Sequence, residues 1–301
     1  MKYSNGFPLG HIHDQQGVAL VVVLLALVLL TAMVVEFSYG VYTGTNDLYN
    51  WRDAQRLSVM AKSGVNVSAN LLSNKDMVFQ YTESIEMPIE NPFEDFNGII
   101  TVRIEDENAK ININSIVTDQ GNRNDVMYIV LKSLLKLLGE DERISDRIVD
   151  WIDPDSIAYL SDSEAGAKNA ALQSVDELLL IHGISRRDYD KLLPYITVYG
   201  NRNAPGININ RAEKEVIMSL AGIDEGLAQR VIDTRKANPL DKSGELDTII
   251  GSGKIPAQIN IRFDGTIFSI KSTASSGGVK RVIETVLDTT TTNTVQYWKE
   301  Y

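Results

Sequence analysis

An unbroken apolar run from Val18 to Val35, VALVVVLLALVLLTAMVV, constrains this chain more than any other stretch, and the hydroxyl of Thr31 is its only polar side chain. A helix rises 1.5 Å per residue, so the run spans about 27 Å, close to the roughly 30 Å hydrocarbon core of a bilayer. A helix buried in a soluble core would show a polar stripe or equally apolar neighbours, and nothing else in the chain is comparably apolar. A secretory signal fits less well: the run is long for one, and Glu36, Phe37 and Tyr39 follow it in place of a small-residue cleavage pattern. Residues 18–35 are therefore read as a transmembrane helix. The short polar segment before it, residues 1–17, reads as a leader ending at Gly17.

Past the membrane boundary, apolar residues keep a helical spacing through Trp51, Leu57, Met60, Ala61, Val65 and Leu72, with Arg52, Asp53, Arg56 and Lys62 between them. The expectation is one long helix, apolar all round in its first half and amphipathic in its second, with Gly40–Asn46 as the candidate place for a kink. After Asn74 the pattern shortens and is punctuated by Pro88, Pro92 and Gly98, and IITVRIEDE from Ile99 alternates as a strand does. The chain closes on more strand pattern: QINIRF from Gln258, then TIFSIKSTAS and VKRVIETVLD joined as a hairpin at Ser276-Gly277-Gly278. The fold class is therefore α+β: a stem helix packed on a small antiparallel sheet built from residues 36–111 and 248–301, with a large helical domain, residues 112–247, inserted between.

The inserted segment repeats itself. Ile111-Asn112-Ile113-Asn114 recurs as Ile207-Asn208-Ile209-Asn210, and LGEDERISDRIVD from Leu138 recurs as AGIDEGLAQRVID from Ala221. Between them Ser174-Val175-Asp176-Glu177 has capping-box spacing and opens LLLIHGIS. The shared unit is helix, glycine-containing turn, helix, with Gly139, Gly183 and Gly222 at the turns and the Asn residues as caps. This grammar resembles helix-hairpin-helix units, many of which bind DNA backbone through turn amides. Here each turn lacks the second glycine, and Gly139-Glu140-Asp141 and Gly222-Ile223-Asp224 put a carboxylate near the place of a phosphate. A net charge of -11 also repels polyphosphate, so no nucleic-acid partner is expected and the hairpins read as a packing scaffold.

Enzyme signatures fail one by one. Gly251-Ser252-Gly253-Lys254-Ile255 looks like the end of a phosphate-binding loop, but the upstream glycine position holds Thr248 and the hydroxyl position holds Ile255. No nucleophile elbow occurs, and His11, His13 and His182 have no metal-ligand spacing. The chain contains no cysteine, which removes disulfide and thiolate chemistry without deciding the compartment. One polar cluster remains: Asp150-Trp151-Ile152-Asp153-Pro154-Asp155, followed by Asp162-Ser163-Glu164. Pro154 stops a helix, so carboxylates from a folded-back segment could converge on a hard cation. Because the run is not an EF-hand pattern, spacing alone favours a solvated acidic loop.

Taken together, the leader ending in Gly17, the immediate apolar helix, the stem-plus-sheet body and the hairpin insert carrying ININ and DWIDPDS resemble the K-type minor pseudopilins of bacterial type II secretion systems, general secretion pathway protein K. The resemblance covers nearly the whole chain. It implies cleavage between Gly17 and Val18 by a prepilin peptidase, methylation of the new amino terminus, and a single-pass inner-membrane protein with its body in the periplasm. The implied partners are the I- and J-type minor pseudopilins at the pseudopilus tip and the major pseudopilin. It also implies a structural Ca²⁺ site, for which Asp150, Asp153, Asp155, Asp162 and Glu164 are the candidate ligands. The family's Gly-Ala-Glu appears here as Gly166-Ala167-Lys168, with Glu164 as the substitute carboxylate. Pilin-like subunits mostly carry Glu at the fifth mature position; here that position is Val22. The competing readings are a membrane-anchored helix-hairpin-helix nucleic-acid receptor and an anchored enzyme.

Overall fold

The computed structural model describes residues 14–73, 84–87, 93, 96–220, 222–290 and 293–301. The leader up to residue 13, with His11 and His13, lies outside the described residues, as do Pro88, Pro92 and Ala221. The chain divides into two compact units, Met1–Arg56 and Leu57–Tyr301. Helix α1, Asp14–Leu72, contributes residues to both.

In the first unit, every large apolar side chain from Val18 to Val35 is more than half exposed, the smallest value being 55% at Leu24. Among the described residues no protein surface covers this band, which is the environment a lipid-facing helix needs. The helix does not break at Gly40–Asn46, and α1 continues through it. Thr43 and Thr45 return their hydroxyl protons to the carbonyls of Tyr39 (3.0 Å) and Val41 (2.7 Å), so neither side chain draws the backbone out of the helix.

In the second unit the amphipathic end of α1 packs on a five-stranded antiparallel sheet of order β1-β2-β7-β8-β9. These strands are Ser84–Met87, Ile99–Asp106, Ile267–Ser276, Val279–Asp288 and Thr294–Glu300. Alternation puts Ile100, Val102 and Ile104 of β2 on the helix face, where they share a core with Leu57, Met60, Ala61 and Val65. Helix and sheet approach closely at Gly64, where a Cβ would lie 2.3 Å from the Ser272 hydroxyl. The expected hairpin forms between β7 and β8: Gly277 and Gly278 have φ of 56° and 85°, as a two-residue type I′ turn requires. Strand β9 had no counterpart in the sequence reading; it holds to α1 through Glu300, which accepts from the Ser58 hydroxyl at 2.5 Å.

Strands β2 and β7 are antiparallel neighbours with Asp106 opposite Phe268, so the helical domain leaves and re-enters the sheet at adjacent strand ends. It is an insertion into what would otherwise be a hairpin. Polar side chains tie the two crossings. Asn108 Oδ1 accepts from the amides of Thr266 (2.8 Å) and Ile267 (3.0 Å), and the buried Asp106 carboxylate accepts from Asn108 N (2.8 Å) and Asn208 Nδ2 (2.6 Å). The domain is wider than the sequence pattern indicated. QINIRF does contain a strand, β6 (Asn260–Arg262), but it pairs in parallel with β5 (Gly206–Asn208) inside the helical domain instead of joining the large sheet. A matching parallel pair, β3 (Ile111–Asn112) with β4 (Ile196–Thr197), closes the other part of the domain.

The helices α2 (Asp125–Leu138), α3 (Ile144–Ile152), α4 (Arg186–Leu192), α5 (Lys214–Ser219), α6 (Glu225–Ala237) and α7 (Ser243–Ile250) surround one continuous apolar core. The interhelical turns at Gly139, Gly183 and Gly222 have φ of 69°, 84° and 76°, a region that L side chains avoid. The expected capping box at Ser174–Glu177 does not form: the Ser174 side chain caps nothing, and Glu177 instead accepts from Gln173 N at 2.8 Å. The box occurs at Ser185 and Asp188, at the start of α4.

Candidate metal centre

The acidic loop begins where α3 ends. Residues Ile144, Ile148 and Ile152 face the core, which leaves Asp150 on the side of the helix over which the following loop folds. Pro154 cannot continue the helix, and Asp153 becomes its extended C-cap with φ -70° and ψ 153°. The loop then turns back on α3. Asp150 is fully buried and accepts from Tyr159 N with both carboxylate oxygens (3.2 and 3.0 Å) and from the Ser163 hydroxyl. Ser163 in turn accepts from Leu160 N at 3.2 Å. Asp155 shapes the next turn by accepting from Ile157 N at 2.7 Å.

This folding brings Asp153, Asp155 and Glu164 together, with one carboxylate oxygen of each lying within 4.8 Å of the others. Asp153 is only 4% exposed, its Oδ1 has no hydrogen-bond partner, and neither has the buried Oε1 of Glu164. Buried carboxylate oxygens without donors are costly, because desolvation is not repaid. The same crowding perturbs their acidity. Burial, and then the charges of Asp155, Asp150 and Glu164, push the Asp153 carboxyl up to about 7. Glu164 is raised for the same reasons, burial first and then Asp150 and Asp155. A hard cation, which takes several oxygen ligands, meets all of these demands at once, so the donor set fits Ca²⁺.

Two of the five candidate ligands do not present free oxygens to this cluster. Asp150 spends its carboxylate on organising the loop, as its bonds from Tyr159 N and the Ser163 hydroxyl show. Asp162 turns the other way, 3.3 Å from Arg147 Nη1 and 3.0 Å from His182 Nδ1. Burial works against its charge, but Arg147 and then His182 outweigh it and hold the carboxyl below the usual range. Arg147 lies under the Gly183 turn, where an added Cβ would come within 2.7 Å of its guanidinium. His182 is thus a turn residue that also anchors the acidic loop. Lys168 does not neutralise the cluster, since it pairs with Glu177 at 2.7 Å and donates to Ala171 O at 3.1 Å. Sequence reasoning passed over Ser163, which a serine between two acidic residues in a turn does little to announce.

The helix-hairpin-helix turn at Gly222 bears on the nucleic-acid reading. Asp224 occupies the N-terminus of α6 with its own carboxylate, accepting from Leu227 N at 2.8 Å. The amide dipoles that would attract a phosphate are already satisfied by a negative charge.

Residues 109–201 match the family of type II secretion system (T2SS) protein K, and residues 202–253 match the helix-hairpin-helix motif. The type II secretion system protein K of Pseudomonas aeruginosa is 26% identical over 303 residues, covering 91% of this chain and 88% of that one. That of Pectobacterium carotovorum is 27% identical over 222 residues, covering 65% of this chain and 66% of the other. Among solved structures, a chain of the GspK-GspI-GspJ complex of enterotoxigenic Escherichia coli superposes with a TM-score of 0.61 at 16% identity, covering 84% of this chain and 98% of that one. At that identity the likeness is one of fold.

Proposed function

The chain belongs to the type II secretion system protein K family, and on that premise we propose that it is the minor pseudopilin at the tip of the pseudopilus, initiating or capping assembly for the export of folded proteins. The observation that carries the reading is the insertion of a bulky helical domain between two neighbouring strands, β2 and β7, of a sheet that packs on a helix with an apolar, exposed N-terminal half. A subunit of this construction can anchor in a bilayer by α1 while its insert obstructs another subunit above it. The protein is a structural component and performs no catalysis in this reading.

In this reading a prepilin peptidase cuts between Gly17 and Val18, the new amino terminus is methylated, and the body lies in the periplasm. Gly17 is in the first turns of α1 and exposed, with open space about its Cα. The fold neighbour was solved in a complex with GspI and GspJ, which supports I- and J-type minor pseudopilins as the partners in this reading; the major pseudopilin would lie below them. Val22 in place of the acidic residue of other subunits supports a terminal position, since an apolar residue there cannot compensate a neighbour's buried ammonium. Ca²⁺ would be held by Asp153, Asp155 and Glu164, and the charge it supplies when bound removes the repulsion among them. Asp150 and Ser163 hold the loop in the form that presents these ligands.

Copy number tests the assignment. Labelling or cross-linking of isolated pseudopili should find this protein at one end only, and its repetition along the filament would refute the tip role.

A further inference from the structure

The helical domain carries the same local structure twice, down to individual hydrogen bonds. In the first copy, Asn114 Nδ2 bridges the carbonyls of Leu172 (2.9 Å) and Val198 (2.8 Å), while its Oδ1 accepts from Leu172 N (2.8 Å). In the second, Asn210 Nδ2 bridges the carbonyls of Leu240 (2.7 Å) and Phe263 (2.8 Å), while its Oδ1 accepts from Leu240 N (2.9 Å). Leu172 and Leu240 are therefore equivalent. The match continues beyond them: Glu177 accepts from Gln173 N at 2.8 Å, and Glu245 accepts from Asp241 N at 3.2 Å. Upstream, both helices end in an extended C-cap that precedes a proline, Asp153 and Asn238, their amides bonded to Val149 O and Thr234 O at 2.9 Å, although the helix of the second copy runs two residues further past its matched aspartate, Asp233 against Asp150.

Between these matched points the copies differ. Pro239 is followed directly by Leu240, whereas residues 155–171 separate Pro154 from Leu172. The aspartates at matched helix positions record the difference. Asp150 and Asp233 follow equivalent apolar pairs, Ile148-Val149 and Val231-Ile232, yet Asp150 is 0% exposed under the loop and Asp233 is exposed, accepting from Gln229 Nε2 at 2.9 Å.

We infer that the acidic loop is an insert in the first copy of a duplicated unit, outside the elements that make the unit fold, and that the cation governs the shape of this surface segment and not the folding of the domain. The part concerning the cation rests on the Ca²⁺ site proposed above; the insertion itself does not. The second copy provides the template for the repeat without the insert. Its bridging Asn and the Glu that accepts from the amide after the leucine are in place without any loop, and the first copy has the same pair, with Ala167 the loop residue that packs against the core.

The test replaces residues 153–171 of the full chain, in detergent, by segment 236–239 of the second copy, joining Ile152 to Leu172. In excess EDTA the variant should unfold cooperatively, with a melting temperature within about 3 °C of wild type under the same conditions, a shift on the order of 1 kcal/mol for a chain of this size. Added Ca²⁺ should shift the wild type upward and leave the variant unmoved. Limited proteolysis of the wild type in EDTA is the second arm: cuts should fall within 155–171 and leave the nicked protein folded with its original transition. If the variant fails to fold, this arm decides. Cuts throughout α2 and α3, or collapse of the nicked protein, would overturn the inference. A wild type indifferent to Ca²⁺ whose loop is nonetheless excisable would remove the metal site and keep the insertion.

Discussion

Replacing Asp106 by Asn should flatten the pH dependence of unfolding. This carboxylate lies at the junction of sheet and helical domain, 7% exposed, and burial raises it to about 6 against an ordinary 3.8, even though Asn208 and Asn108 N donate to it. Glu107 beside it adds to the rise. A folded-state pKa above the unfolded one means that the folded protein holds the proton more tightly. Stability is then greatest below the unfolded value and declines as pH rises through the folded one. The difference corresponds to about 3 kcal/mol at pH well above 6, of which roughly half has accrued by pH 5. Between pH 5 and pH 8 the wild type should therefore lose about 1 to 2 kcal/mol more than Asp106→Asn. Asn offers one acceptor where two donors point, so the variant also carries a pH-independent cost of about 1–3 kcal/mol. Urea unfolding of the full chain in detergent, at saturating Ca²⁺ so that the acidic loop does not titrate, measures both. Two stability curves that run parallel from pH 5 to pH 8 would refute the argument that burial dominates at this site.

Ca²⁺ should bind more weakly as pH falls, because the proton on Asp153 competes for the same oxygen; with its pKa near 7, affinity should drop by about tenfold per unit below that value in calorimetric titrations. Asp153→Asn should raise the melting temperature of the Ca²⁺-free protein by relieving carboxylate crowding and should abolish the Ca²⁺-induced thermal shift. Gly17→Val should leave the precursor uncut, since a side chain obstructs a peptidase that must approach the backbone; mass spectrometry of membrane fractions reads this directly. Val22→Glu should be tolerated without filament formation, because the inserted domain still blocks the position above, and sedimentation of sheared pseudopili distinguishes the outcomes.

Much of this protein is fixed by short-range pattern. The apolar run from Val18 to Val35 has the length and composition of a membrane-spanning helix, and its side chains form the exposed apolar band in the structure. The Gly277-Gly278 turn and the left-handed glycines at 139, 183 and 222 were equally legible, since backbone sterics act locally. The nucleic-acid reading was weakened in sequence by an absent glycine and in the structure by what stands there, the capping carboxylate of Asp224.

Tertiary structure decided what depends on distant partners. QINIRF has the alternation of a strand, but alternation does not say which strand it joins; β6 pairs with β5 because Asn210 and Ile209 N draw that segment in through Phe263 O and Arg262 O. The two ININ segments announced a repeat, whereas the bridges from Asn114 to Leu172 and Val198 cross 58 and 84 residues and have no local signature. The acidic loop shows the same limit most clearly. Five carboxylates in one stretch left a solvated acidic loop and a cation site both open, and which oxygens remain free was settled by Tyr159 N and Ser163 claiming Asp150, and by Arg147 and His182 claiming Asp162. Charge density is written in composition, while the direction of each carboxylate depends on which donors the folded chain brings beside it.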